Sequence, residues 1–147
     1  MLLTAANPTF VYYVLTVLVL SALLIFLWSY SGAVRGKTKT AMNPEDGKQY
    51  GAPIVEHDPP EVARVLRAHA NAQANIIPFL LVGFVFVCLG GAPTMGAIVF
   101  GAFVLCRLAH AAVYLAGKQP WRTISFILGG VATLVLIGDV IALLLKG

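Results

Sequence analysis

The chain has 147 residues, of which 59% are hydrophobic and only 11% charged, with a formal net charge of +4 and a mean hydropathy of +0.87. A water-soluble domain carries about a quarter charged residues, so the composition excludes an ordinary soluble fold and points to lipid as the main solvent. The excess positive charge lies beside apolar runs, where it sets membrane orientation; it does not read as a surface for nucleic acid.

The opening MLLTAANPTF holds no basic residue and so lacks the positive start of a secretory signal. Four apolar stretches follow, at 9–30, 62–89, 94–116 and 120–145, each near the ~20 residues that cross a bilayer. Backbone groups facing hydrocarbon must pair within their own segment, and no short alternating stretches of the β-barrel kind occur. The expected fold is therefore an all-α integral membrane protein, one membrane domain over 1–147 built as a four-transmembrane-helix bundle.

The connection at 31–60 is the long loop. It contains Asn43-Pro44-Glu45-Asp46 and ends in Asp58-Pro59-Pro60-Glu61, which reads as a helix start with Asp58 as N-cap. Gly90-Gly91-Ala92-Pro93 and Gly117-Lys118-Gln119-Pro120 read as tight turns. All ten basic residues except Lys146 fall on one side of the spans. The positive-inside rule makes that side, with loop 31–60, cytoplasmic, and puts both termini on the other side.

Three polar groups sit on these spans. On the second, Arg64, Arg67, Asn71 and Ala74 or Asn75 recur at helical spacing along one face. His69 lies off that stripe and reads as a structural histidine. On the third, Arg107, His110 and Tyr114 share a face. Arg107 is deep in its span, where a cation costs roughly 2.5–3.5 kcal/mol. It is expected to meet a bound anion, or an acid from another helix or subunit.

The third group, Arg122-Thr123 with Ser125, opens the fourth span. Free backbone N–H groups there already favour an anion. A guanidinium next to a hydroxyl suits a thiolate or a carboxylate, because both stabilise the charged form. An interfacial anchor beside Trp121 is the competing reading. Cys88 and Cys106 lie within apolar spans and read as small hydrophobes. His57, His69 and His110 lack metal-ligand spacing, so no metal site is expected.

LRAHANAQANIIPF, preceded by NPED and followed by RLAHAAVY and PWRT, resembles the MAPEG family, membrane-associated proteins in eicosanoid and glutathione metabolism. The four motifs occur in the family's order over roughly 34–125. The resemblance implies a homotrimer with glutathione as cofactor, bound between neighbouring subunits on the cytoplasmic side. The positions matching glutathione contacts are Arg35, Arg67, Asn71, His110, Tyr114, Arg122 and Thr123. Among these, Arg122 and Thr123 match the groups that hold the thiolate. Asp46 matches an acid paired with that arginine in the prostaglandin synthase branch, which makes Arg122, Thr123 and Asp46 the implied catalytic set.

This sequence also departs from the pattern. Ala74 stands where an acid commonly meets the glutathione amino group, Ala70 replaces a basic residue, Phe126 replaces a tyrosine, and Ala63 stands where an acid often precedes Arg64. The implied activity is a glutathione-dependent transferase or peroxidase acting on lipophilic electrophiles drawn from membrane lipid. The alternatives are a prostaglandin-E-synthase-like isomerase, and a non-enzymatic protein that binds lipid or a partner through a degenerate glutathione site.

Overall fold

A computed structural model of the chain describes residues 3–146. Five helices account for most of them: α1 (Pro8–Thr38), α2 (Pro44–Tyr50), α3 (Pro60–Cys88), α4 (Pro93–Leu115) and α5 (Trp121–Leu144). All except α2 are long and apolar enough to cross a membrane. The protein is thus an all-helical, multi-pass membrane protein. Leu15, Leu18, Ile25, Leu105 and Leu134 are exposed along these helices, as expected where lipid is the solvent for the outer face.

Three of the long helices, α1, α3 and α4, have a local reason to start where they do. Asn7 caps α1 by accepting from Thr9 N at 3.1 Å, with Pro8 following at the first helical position. Proline likewise opens α2, α3 and α4. The expected Asp58 cap of α3 is not what forms. Pro59 takes the N-cap position and no side chain caps the helix, because the Asp58 carboxylate is drawn to Arg35 at 2.6 Å.

The stretch at 31–60, expected as loop, is partly helical. Helix α1 continues past Tyr30 to Thr38 and stops where Lys39 turns left-handed at φ 51°. Helix α2 then fills 44–50. A pair of backbone hydrogen bonds ties the chain around it, Ala41 N to Pro53 O at 3.1 Å and Val55 N to Ala41 O at 2.9 Å. Ala41 is buried under this tie.

In the bundle α3 and α4 are central: α1 packs on both of them from one side, and α5 packs on both from the other. Among the described residues α1 and α5 do not pack against each other. The core is aromatic. Phe79 of α3 stacks on Phe103 of α4 with centroids 3.6 Å apart, and Phe100 meets Phe79, Phe86 and Tyr13 at about 6 Å. Such rings contribute large buried area with defined geometry. Two hydroxyls anchor α1: Thr9 donates to Gly91 O at 2.9 Å and Tyr13 to Leu80 O at 3.3 Å.

Candidate functional site

The helix order brings the end of α1, α2, the start of α3, the end of α4 and the start of α5 to one end of the bundle. The polar residues singled out from the sequence fall at this end, in two groups that α3 and α4 keep apart.

The first group forms where α4 meets α5. His110 is buried, and its Nδ1 lies 3.0 Å from Arg122 O and 3.3 Å from Ser125 Oγ. Ser125 Oγ itself donates into the first turn of α5, to Trp121 O at 2.8 Å and Arg122 O at 3.1 Å. Tyr114, one turn beyond His110, packs edge-on to the imidazole at 5.6 Å. The Arg122 guanidinium then lies over the Tyr114 ring, 4.9 Å from its centroid, a favourable cation–π position. Three residues expected at the site, His110, Tyr114 and Arg122, therefore make one contiguous unit. Thr123 follows at the exposed start of α5.

Gln119 belongs to the same unit, although in the sequence it reads only as part of a turn. With its amide oxygen turned toward the guanidinium, that oxygen accepts from Arg122 Nη2 at 2.8 Å and Nε at 3.3 Å, while the amide nitrogen donates to Thr123 Oγ1 at 3.1 Å. The signal available in the sequence is its spacing, three residues before Arg122 and four before Thr123, which on a helix start brings side chains together.

Four buried polar atoms on α3 and α4 have no hydrogen-bond partner among the described residues: Asn71 Oδ1, Arg107 Nε and Nη1, and His110 Nε2. Burying such groups unpaired is costly, so these atoms are suited to meet a polar ligand. Asn71 is held on α3 one turn from Asn75, whose Nδ2 donates to Asn71 O at 2.8 Å. Arg67 is exposed on the same helix.

The second group lies at the end of α1. Arg35 and Asp46 line a cavity of about 620 Å³ together with Gly32, Gly36, Thr40 and Tyr50. Arg35 is held by Asp58, and Asp46 accepts from Asn43 Nδ2 at 3.1 Å. Because α1 and α5 flank opposite sides of α3 and α4, one protomer does not unite this group with Arg122 and Thr123.

Among the described residues no carboxylate pairs with Arg107, and two of its nitrogens, Nε and Nη1, have no hydrogen-bond partner. Arg107 is 2% exposed, and its Nη2 donates instead to the carbonyl oxygens of Ser125 and Phe126 at 3.3 and 3.4 Å. The guanidinium carbon also sits 5.5 Å from the Phe103 ring and 5.8 Å from that of Phe126. Carbonyl dipoles and ring faces thus meet only part of the guanidinium. Gly129 makes the approach possible, since a Cβ there would come within 2.5 Å of Nη2 and 3.0 Å of Nε. Arg107 is a tie between α4 and α5 that supports the His110–Arg122 unit from below.

Comparison with known proteins identifies relatives of the chain. Human prostaglandin E synthase is 38% identical over 99 residues, 67% of this chain and 65% of that protein. The Bos taurus prostaglandin E synthase is 37% identical over a stretch of the same coverage. Human microsomal glutathione S-transferase 1 is 39% identical over 101 residues, 65% of each chain. The match thus spans a little under two thirds of the length of these relatives, all of them named as enzymes. Residues 13–142, most of the sequence, match the MAPEG family, and the chain belongs to that family.

Proposed function

We propose that this protein is a glutathione-dependent membrane enzyme, a transferase or peroxidase acting on lipophilic electrophiles that reach it from the bilayer. The observation that carries the reading is the Arg122 guanidinium, fixed over Tyr114 at the start of α5 with the Thr123 hydroxyl one residue on. This is a preorganised cationic and hydrogen-bonding corner at a helix N-terminus, the arrangement that favours an anion.

Glutathione, when bound, supplies the thiol whose ionised form is the nucleophile. Arg122 carries the charge that favours ionisation, and Thr123 donates to the sulfur. Arg67, Asn71, His110 and Tyr114 orient the rest of the tripeptide, with His110 Nε2 and Asn71 Oδ1 as polar atoms free to meet it. Arg35 and Asp46 complete the site from a neighbouring copy in a homotrimer. That assignment answers the separation of α1 from α5 within one protomer. The basic end of the bundle faces the cytoplasm and both termini lie opposite. The enzyme contributes proximity and electrostatic stabilisation, not a covalent side-chain intermediate.

A second reading keeps the cofactor and changes the reaction to isomerisation of an endoperoxide. The prostaglandin E synthases at 36–38% identity favour it. Ala70, Ala74 and Phe126 weigh against the isomerase more than against glutathione binding, and Ala74, where the family commonly has an acid, favours a non-enzymatic protein instead. Product analysis with an endoperoxide and, separately, with a chloronitrobenzene-type electrophile decides between them. Conjugation of the electrophile without isomerisation supports the transferase, and the reverse supports the isomerase. Neither product, with no glutathione bound, leaves a non-enzymatic lipid- or partner-binding protein.

A further inference from the structure

Gln119 touches both groups assigned to the thiolate, and its chemistry restricts what each can do. The N–H groups of Arg122 can only donate, so the Gln119 amide must present its oxygen to them. Its nitrogen, which also can only donate, then faces Thr123 Oγ1 at 3.1 Å. Thr123 is thereby made an acceptor toward Gln119. A hydroxyl has a single proton and two lone pairs. At a helix start that proton ordinarily turns back to a nearby carbonyl or side-chain oxygen. Among the described residues the Gln119 side chain is the hydrogen-bond partner of Thr123 Oγ1, and no backbone carbonyl accepts from it. With the amide nitrogen on its acceptor side, the Thr123 proton is therefore left to donate outward. Arg122 is restricted in parallel. Its Nε and Nη2 are engaged by the amide oxygen, its plane is set by Tyr114, and Nη1 is the edge left for an anion.

We infer that Gln119 is a positioning residue for the glutathione thiolate. It turns Thr123 into a dedicated hydrogen-bond donor and holds Arg122 so that donor and cation serve the same sulfur. This rests on the reading of Arg122 and Thr123 as the thiolate-binding pair. Gln119 itself is exposed on the turn between α4 and α5, so its replacement leaves the core intact.

The test follows thiolate absorbance of bound glutathione against pH in the purified full-length protein, with calorimetric affinity measured in parallel. Wild type, Gln119→Leu, Thr123→Val and the double variant are compared. Loss of one exposed hydrogen bond that acts through a neighbour makes the expected fall in the acid dissociation constant of the bound thiol roughly three- to tenfold in Gln119→Leu, with affinity for glutathione changed less. In the Thr123→Val background the same replacement is expected to cost clearly less, because a residue that acts through its neighbour gives non-additive effects. A thiolate signal unchanged in Gln119→Leu overturns the inference while the Arg122 reading stands. Fully additive losses also overturn it, since they would make Gln119 an independent packing residue. Absence of a thiolate signal in wild type overturns the Arg122 and Thr123 reading, and this inference falls with it.

Discussion

The Arg122 guanidinium lies 4.9 Å from the centre of the Tyr114 ring, so the first turn of α5 is oriented by the last turn of α4. The tyrosine then has two separable roles, a ring under the cation and a hydroxyl free to meet a ligand. Tyr114→Phe keeps the ring and is expected to retain the thiolate signal. Tyr114→Leu is expected to lower it about two- to fivefold, in line with a partly exposed cation–π contact of ~0.5–1 kcal/mol. Thiolate absorbance at fixed pH measures both, and equal losses in the two variants would leave the ring without a role at the thiolate.

Arg107 and Gly129 make a second interlocked pair across the same helices. Gly129→Ala forces a methyl against the guanidinium and is expected to destabilise the bundle by roughly 1–3 kcal/mol. Thermal unfolding in detergent checks this. Arg107→Met removes the group that the methyl meets, so the double variant is expected to lose less than the sum of the single changes.

Much of this architecture is legible in the sequence, and the parts that are not have physical reasons. The four spans are visible because a soluble chain of this size seldom sustains apolar runs of bilayer length. The continuation of α1 to Thr38 is hidden by Gly32, Gly36, Arg35 and Lys37, residues that look like loop when a membrane boundary has just been crossed. A helix leaving the bilayer still satisfies its own backbone, so it need not stop at the lipid surface. Asp58 has the composition of a cap, yet a guanidinium brought up by that longer α1 takes it instead. The carbonyl partners of Arg107 Nη2 are invisible because backbone carbonyls carry no sequence signature. Helical spacing places His110 and Tyr114 together, whereas Gln119 requires knowing how the turn brings its amide to Arg122 and Thr123.

The separation of Arg35 from Arg122 within a protomer gives a complementation test. Chains carrying Arg35→Ala and chains carrying Arg122→Ala are each expected to lose most glutathione-dependent activity. Mixed by co-expression and purified as a hetero-oligomer, they recreate some junctions with both arginines intact. Partial recovery of activity is expected. A mixture as inactive as its parents would place both arginines in one protomer's site.

Ala74 lies on α3 one turn beyond Asn71 and is exposed in the protomer. Restoring an acid there, Ala74→Glu, is expected to tighten glutathione binding about three- to tenfold through a charge-assisted hydrogen bond to the amino group. Calorimetry checks it, with a glutathione analogue lacking that amine as the control that should not respond.

The most direct measurement of thiolate stabilisation by Arg122 is glutathione binding by the detergent-purified protein, followed by thiolate absorbance and by heat, in wild type and Arg122→Ala. Saturable binding with a thiolate signal is expected in wild type. In the variant that signal is expected to be almost completely lost, with affinity reduced far less. A variant that binds glutathione with the thiolate signal intact, or a wild type that shows no binding at millimolar glutathione, would contradict the role assigned to Arg122.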